Sequence, residues 1–227
     1  MFRCTGYSGF ECHLSRLINR SVAHLEYRLL PEHSILDAIE DTVTLYRALL
    51  RDGISPSRMI IMGDSAGGGL SLITIQTLLA RGLPMPRGIV PISPFADVRL
   101  KQDSFKRNRF TDLMVNDAIL KFTVHLICNS GIKLAPDDPR ISPLLGSFEG
   151  FPPMYITVST DEMLEDISRE LASKAQTAGV DVTLEIGQYL QHDYPLFFLY
   201  FPGARTSLEH IRQWIETKLK EENIKNQ

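Results

Sequence analysis

The stretch IIMGDSAGGGLSL (60–72) sets a serine among glycines, between two apolar runs. Gly63-Asp64-Ser65-Ala66-Gly67 has the spacing G-x-S-x-G. Behind a strand and ahead of a helix, that spacing holds a serine on a sharp turn with its hydroxyl exposed, a nucleophile elbow. The chemistry on offer is nucleophilic attack by Ser65. Gly63 and Gly67 are expected to keep side chains out of the tight turn, which strains the serine backbone. Ala66 would present its amide at a helix N-terminus, where negative charge developing on a substrate oxygen is favoured. The plainer alternative is a small-residue loop feeding a helix and holding phosphate. Against it, the Walker lysine is missing and the spacing is not G-x-G-x-x-G.

A serine hydroxyl attacks well only when a base removes its proton, and the base needs a carboxylate to orient it. Behind such an elbow the order along the chain is serine, acid, histidine. His125, His192 and His210 follow Ser65. His210 falls in an amphipathic C-terminal helix and His125 in an apolar helical piece. His192 falls in a loop, QYLQHDYPLF, just past an expected strand at 182–187, at the sheet edge where ligands bind. For the acid, Asp161 directly follows the apolar run MYITVS. Asp166 reads as a capping or pairing residue, Asp97 and Asp138 lie in a long excursion, and Asp193 is expected to point away from the base it adjoins. The expected set is therefore Ser65, Asp161 and His192.

The elements that must position these residues alternate along the chain. Buried strands are expected at 22–29, 58–63, 88–93, 154–159 and 182–187. Helical spacing marks 34–53, 65–82, 164–179 and 206–220, the first three closing at Gly53, Gly82 and Gly179. Alternation of this kind implies an α/β fold, a mostly parallel sheet flanked by helices on both faces. The exception is 95–150, which is Pro-rich at its end and shows no obvious strand. A long excursion after a strand's C-terminal end is where lids are built, so a partial lid or cap is expected at about 95–135.

Composition narrows the function classes. The chain has 227 residues, 44% hydrophobic and 22% charged, with a net charge of -3. One domain over 1–227 is expected. Without a basic block, nucleic acid is not an expected partner. Cys4, Cys12 and Cys128 are an odd set without tight spacing, which suggests free thiols in a reducing, cytoplasmic setting. Cys4, Cys12 and His13 fit no zinc spacing, so no metal is expected. No 18-residue apolar run and no signal-peptide core is found, so stable membrane insertion is not expected. The expected strand 182–187 would lie at a sheet edge, where two copies could pair into a homodimer.

With these residues assembled, the sequence resembles the hormone-sensitive-lipase-like family of α/β-hydrolases, the group of arylacetamide deacetylase and many bacterial carboxylesterases. EYRLLPEH (26–33) is similar to the family's Y-R-L-A-P-E-H, with Leu30 in place of alanine. GDSAGGGLSL is similar to G-D-S-A-G-G-N-L, with Gly69 in place of asparagine. SPFADVRLKQDSF, the long run from Asp138 through VTLE, and QHDYPLF continue the match, so that 22–219 is covered. The resemblance implies an α/β-hydrolase fold and hydrolysis of short to medium carboxylic esters through an acyl-enzyme. Ser65 would be nucleophile, His192 base and Asp161 triad acid, with no cofactor or metal and a small-molecule ester as the partner. A role in lipid metabolism follows from the same likeness.

The front of the chain departs from the family. There a longer lead supplies the first strands, part of the cap and an H-G-G-G loop whose amides bind the oxyanion. Here RCTGY (3–7) would be its degenerate remnant, with the backbone of Cys4 and Thr5 as the remaining oxyanion donors beside Ala66. One missing donor costs about 2.7–4 kcal/mol, so impaired activity and an open acyl pocket are expected. Without the family's intervening strand, 22–29 and 58–63 lose backbone partners unless they pair directly. The competing reading is a non-catalytic α/β-hydrolase, a pseudoenzyme or small-molecule binding module. Plant gibberellin receptors, on the same fold, lack the catalytic histidine; His192 is present here.

Overall fold

Four of the five expected strands form. β1 (Ile60–Asp64), β2 (Gly88–Ile92), β3 (Met154–Ser159) and β4 (Val182–Gly187) lie side by side in that order, all parallel. In this computed structural model residues 7–129, 131 and 133–225 are described. β2 and β3 are buried along their whole length, as central strands covered on both faces must be. β4 spans the expected 182–187 and lies at one edge.

The helices between the strands build two layers. α1 (Ser8–Ile18) and α7 (Pro202–Lys225) cover one face. α2 (Ile35–Arg51), α3 (Ser65–Ala80) and α6 (Glu165–Thr177) cover the other. The period of two in β3 divides the core between them. Met154 and Ile156 pack with Leu72, Ile75 and Leu78 of α3 and with Ile167 and Leu171 of α6. Tyr155, between them, joins Leu208, Ile211, Trp214 and Ile215 of α7. α3 is buried without a break from Gly68 to Ile75. That burial explains why its sequence is apolar all round rather than striped.

The expected strand at 22–29 does not form; the segment is irregular and largely exposed. A strand exists only as one member of a hydrogen-bonded ladder. Among the described residues β1 pairs with β2 alone, and 22–29 never reaches its other edge. Polar anchors hold the segment instead. The Arg28 guanidinium donates to Asp41 at 2.8 and 3.0 Å and to Asp37 at 3.1 Å. Asp37 also closes the α2 capping box with Ser34.

The excursion after β2 carries two helices, α4 (Ser104–Arg107) and α5 (Asp117–Asn129), and no strand among its described residues. It is tied down at the start of α6. The Ser104 amide donates to Asp166 at 2.8 Å, and Arg107 reaches both Glu165 and Asp166 at 2.7 Å. Beyond that anchor its surface is open: Phe110 and Leu113 are 81% and 80% exposed.

Candidate active site

The last residue of β1 is Asp64, and α3 begins at Ser65 with φ +50°. That left-handed conformation costs a non-glycine residue about 1–3 kcal/mol and aims the side chain off the strand end. Gly63 makes the turn possible. A Cβ there would lie 2.3 Å from the Gly67 carbonyl oxygen. The crowding expected at Gly67 itself is absent, since the nearest atom to a Cβ there is 4.0 Å away. The elbow needs the backbone of Gly67, not its missing side chain. Asp64 is held by the Tyr7 hydroxyl, which donates to it at 2.8 Å. Ala66 is exposed in the first turn of α3, where amides have no partner within the helix.

His192 comes to this elbow from the loop after β4. Its Nε2 lies 2.9 Å from Ser65 Oγ, with the ring 4% exposed. Its Nδ1 lies 2.8 Å from an oxygen of Glu162, not of Asp161. Glu162 sits in the turn after β3 and is fully buried. Its other oxygen accepts from the Ser159 amide at 2.6 Å and from the Ser93 hydroxyl at 2.9 Å. Burial raises the Glu162 carboxyl, against the pull of His192, the Ser159 amide and Ser93.

The expected acid, Asp161, is displaced by its neighbour. It is half-buried, and its carboxylate accepts from the Thr160 hydroxyl at 3.3 Å. Consecutive residues in the turn after β3 face different ways, so a shift of one position moves a carboxylate off the ring. A second carboxylate beside Asp161, on the longer glutamate arm, was the sequence signal for the alternative. The other acids are accounted for elsewhere. Asp97 pairs with Arg99 and Gln102, Asp138 with Arg140, and Asp166 with Arg107. His125 lies in α5, and His210 lies on α7 against Glu185 at 3.4 Å.

Asp193 also corrects an expectation. Instead of pointing away, it takes a left-handed backbone, φ +56° and ψ +32°, and folds its carboxyl back onto the site. One oxygen lies 3.1 Å from His192 Nε2; the other is buried without a hydrogen-bond partner. The Asp193 amide donates to Ser93 Oγ at 3.2 Å. Burial lifts its carboxyl far above the ordinary range; His192 and the nearby Ser65 amide oppose the shift, while Asp64 and Glu162 add to it. Burial alone would lower the His192 imidazole, but Asp193, Glu162 and Asp112 outweigh it and push the ring up to about 9.

Gln191 links this loop to the excursion. Its side chain accepts from the Leu113 amide at 2.8 Å and donates to the Thr111 carbonyl at 3.2 Å. The expected oxyanion donors Cys4 and Thr5 lie outside the described residues. Among the described residues no cluster of His, Cys, Asp and Glu could hold a metal ion, Cys12 and Cys128 are free thiols, and no helix is long and apolar enough to cross a membrane.

The chain is similar to known proteins. Residues 9–196 match a family described by the α/β-hydrolase fold. An esterase of Acinetobacter venetianus is 33% identical over 193 residues, 85% of this chain and 63% of that protein. An acetyl-hydrolase of Streptomyces hygroscopicus is 34% identical over 200 residues, 87% of this chain and 65% of that one. The chain thus spans a little under two thirds of the length of these relatives. Among solved structures, an esterase/lipase from an uncultured bacterium superposes with a TM-score of 0.89 at 34% identity, covering 94% of this chain and 71% of that one. An esterase of the bacterial hormone-sensitive lipase family gives 0.87 at 33% identity, covering 91% and 69%. With its parallel sheet, its elbow and these matches, the chain belongs to the α/β-hydrolase fold family, in the hormone-sensitive-lipase-like branch.

Proposed function

We propose that the protein hydrolyses carboxylic esters of short to medium acyl chain through an acyl-enzyme on Ser65. The observation that carries this is the continuous relay from Ser65 Oγ to His192 Nε2 at 2.9 Å and from His192 Nδ1 to Glu162 at 2.8 Å. In the first step Ser65 Oγ attacks the ester carbonyl while Nε2 takes its proton. Glu162 stays ionised, fixes the ring through Nδ1–H and stabilises the imidazolium. The Ala66 amide faces the oxyanion. The tetrahedral intermediate collapses as the imidazolium gives its proton to the leaving alcohol. Water then repeats the sequence on the acyl-enzyme and releases the carboxylic acid. The esterase and acetyl-hydrolase relatives support the reaction class.

The test is labelling with a fluorophosphonate together with hydrolysis of p-nitrophenyl esters. Wild type is expected to label and to turn over acetate and butyrate esters, and Ser65→Ala to do neither. A folded wild-type protein that neither labels nor hydrolyses would leave the non-catalytic binding module as the reading.

A further inference from the structure

The Nε2 side of His192 holds a carboxyl that the reaction just described does not use. Asp193 lies 3.1 Å from Nε2, against 2.9 Å for Ser65 Oγ, so two groups compete for one nitrogen. Asp193 is 7% exposed, and its second oxygen has no partner among the described residues. A buried carboxylate with one oxygen left without a donor is costly, and besides the Ser65 amide the proton that can relieve the charge is the one on Nε2.

We propose that Asp193 gates the base: its carboxyl and His192 Nε2 share one proton, and Ser65 can be deprotonated only after that proton has left. This inference rests on the reading of Ser65 and His192 as nucleophile and base. The proton count does not depend on where the shared proton sits. An imidazolium beside a carboxylate and a neutral imidazole beside a carboxylic acid hold the same single proton. In both forms Nε2 has no free lone pair for the Ser65 hydroxyl. When the proton passes to solvent, Nε2 is freed, Nδ1–H remains on Glu162, and Asp193 is left as a carboxylate. The Ser65 proton can then move to Nε2, and Asp193 faces the imidazolium so formed.

The surroundings hold the shared proton more firmly. Glu162 faces Nδ1 from the turn after β3, and Asp112 acts on the ring from the loop before α5. Asp64, bonded to the Tyr7 hydroxyl, acts on Asp193 from the end of β1. Each acid disfavours a further negative charge, which agrees with the upward shifts of both Asp193 and His192. Ser93 fixes the geometry, since its hydroxyl accepts from the Asp193 amide and donates to Glu162.

The experiment follows the imidazole directly. In 15N-histidine-labelled protein the His192 signals, assigned by their loss in His192→Gln, are titrated by NMR in wild type and in Asp193→Asn. The wild-type ring is expected to be protonated at neutral pH and to titrate well above an ordinary histidine. The variant is expected to titrate at least one pH unit lower. The acid limb of kcat/KM for p-nitrophenyl acetate should move down in step, giving about tenfold more activity near pH 6. A wild-type ring that titrates at or below the ordinary value overturns the proposal, as does a titration unmoved by the variant. If Asp193→Asn does not fold, the wild-type titration decides alone. A high titration lowered by the variant, in a protein that neither labels nor hydrolyses, keeps the shared proton and defeats the proposed function instead.

Discussion

Glu162 and Asp193 flank the same imidazole, and the protein equips them differently. Glu162 receives the Ser159 amide, the Ser93 hydroxyl and His192 Nδ1, so that both of its oxygens are used. Asp193 leaves one oxygen without a partner and sets the other against the nitrogen that must receive the serine proton. A carboxylate that only orients the base is best held by several donors, which keep it ionised. A carboxyl short of donors takes up a proton instead, and here it does so at the reacting nitrogen. The difference between orienting a base and restraining it comes down to the number of hydrogen bonds each acid is given.

The comparison breaks most severely at Glu162. Glu162→Gln removes the charge that favours the imidazolium and disturbs the ring's tautomer. Single-turnover acylation by a p-nitrophenyl ester should slow by about 10²- to 10⁴-fold with the fold intact by circular dichroism. A loss below threefold would remove Glu162 from the relay.

Ser93 touches both acids, so Ser93→Ala should weaken both at once. It orphans the Asp193 amide and takes a donor from Glu162, a cost of about 1–3 kcal/mol visible in urea unfolding. An unchanged midpoint would mean that the link carries no energy.

The dependence of stability on pH sharpens the contrast. His192 is raised in the folded state, so its contribution is fully present below the unfolded value near 6.5 and is lost as the pH climbs toward about 9. Asp193 is also raised and adds a loss of the same sign as the pH rises. Wild type should therefore lose stability between pH 6.5 and 9, and Asp193→Asn should lose less; parallel curves for the two proteins would contradict this. The smallest effect is expected at Asp161. With its carboxylate on Thr160 and off the ring, Asp161→Asn should change kcat/KM by less than about twofold.

Much of this site could be read without coordinates, because its parts follow from backbone geometry and chain order. Ser65 and His192 were legible from the elbow spacing and from the place of a histidine just past a strand. Strands β2 and β3 were legible because buried parallel strands read as apolar runs. The choice between Asp161 and Glu162 depended on where a turn aims adjacent side chains, which type and spacing do not encode. Asp193 was misread for a related reason. Its orientation comes from a left-handed backbone that an aspartate tolerates but does not announce. The segment 22–29 failed as a strand because apolar pattern gives a willingness to pair, while pairing needs a neighbour.

The nucleophile is mounted on β1, which is laddered on one side only among the described residues and is half-buried throughout. Fraying there would misalign Ser65 before the centre of the sheet melts. Rising urea should therefore silence catalysis at concentrations where far-UV circular dichroism is still native, and amide exchange should be faster in β1 than in β3. Coincident loss of turnover and ellipticity would show instead that the strand's free margin is as durable as the interior.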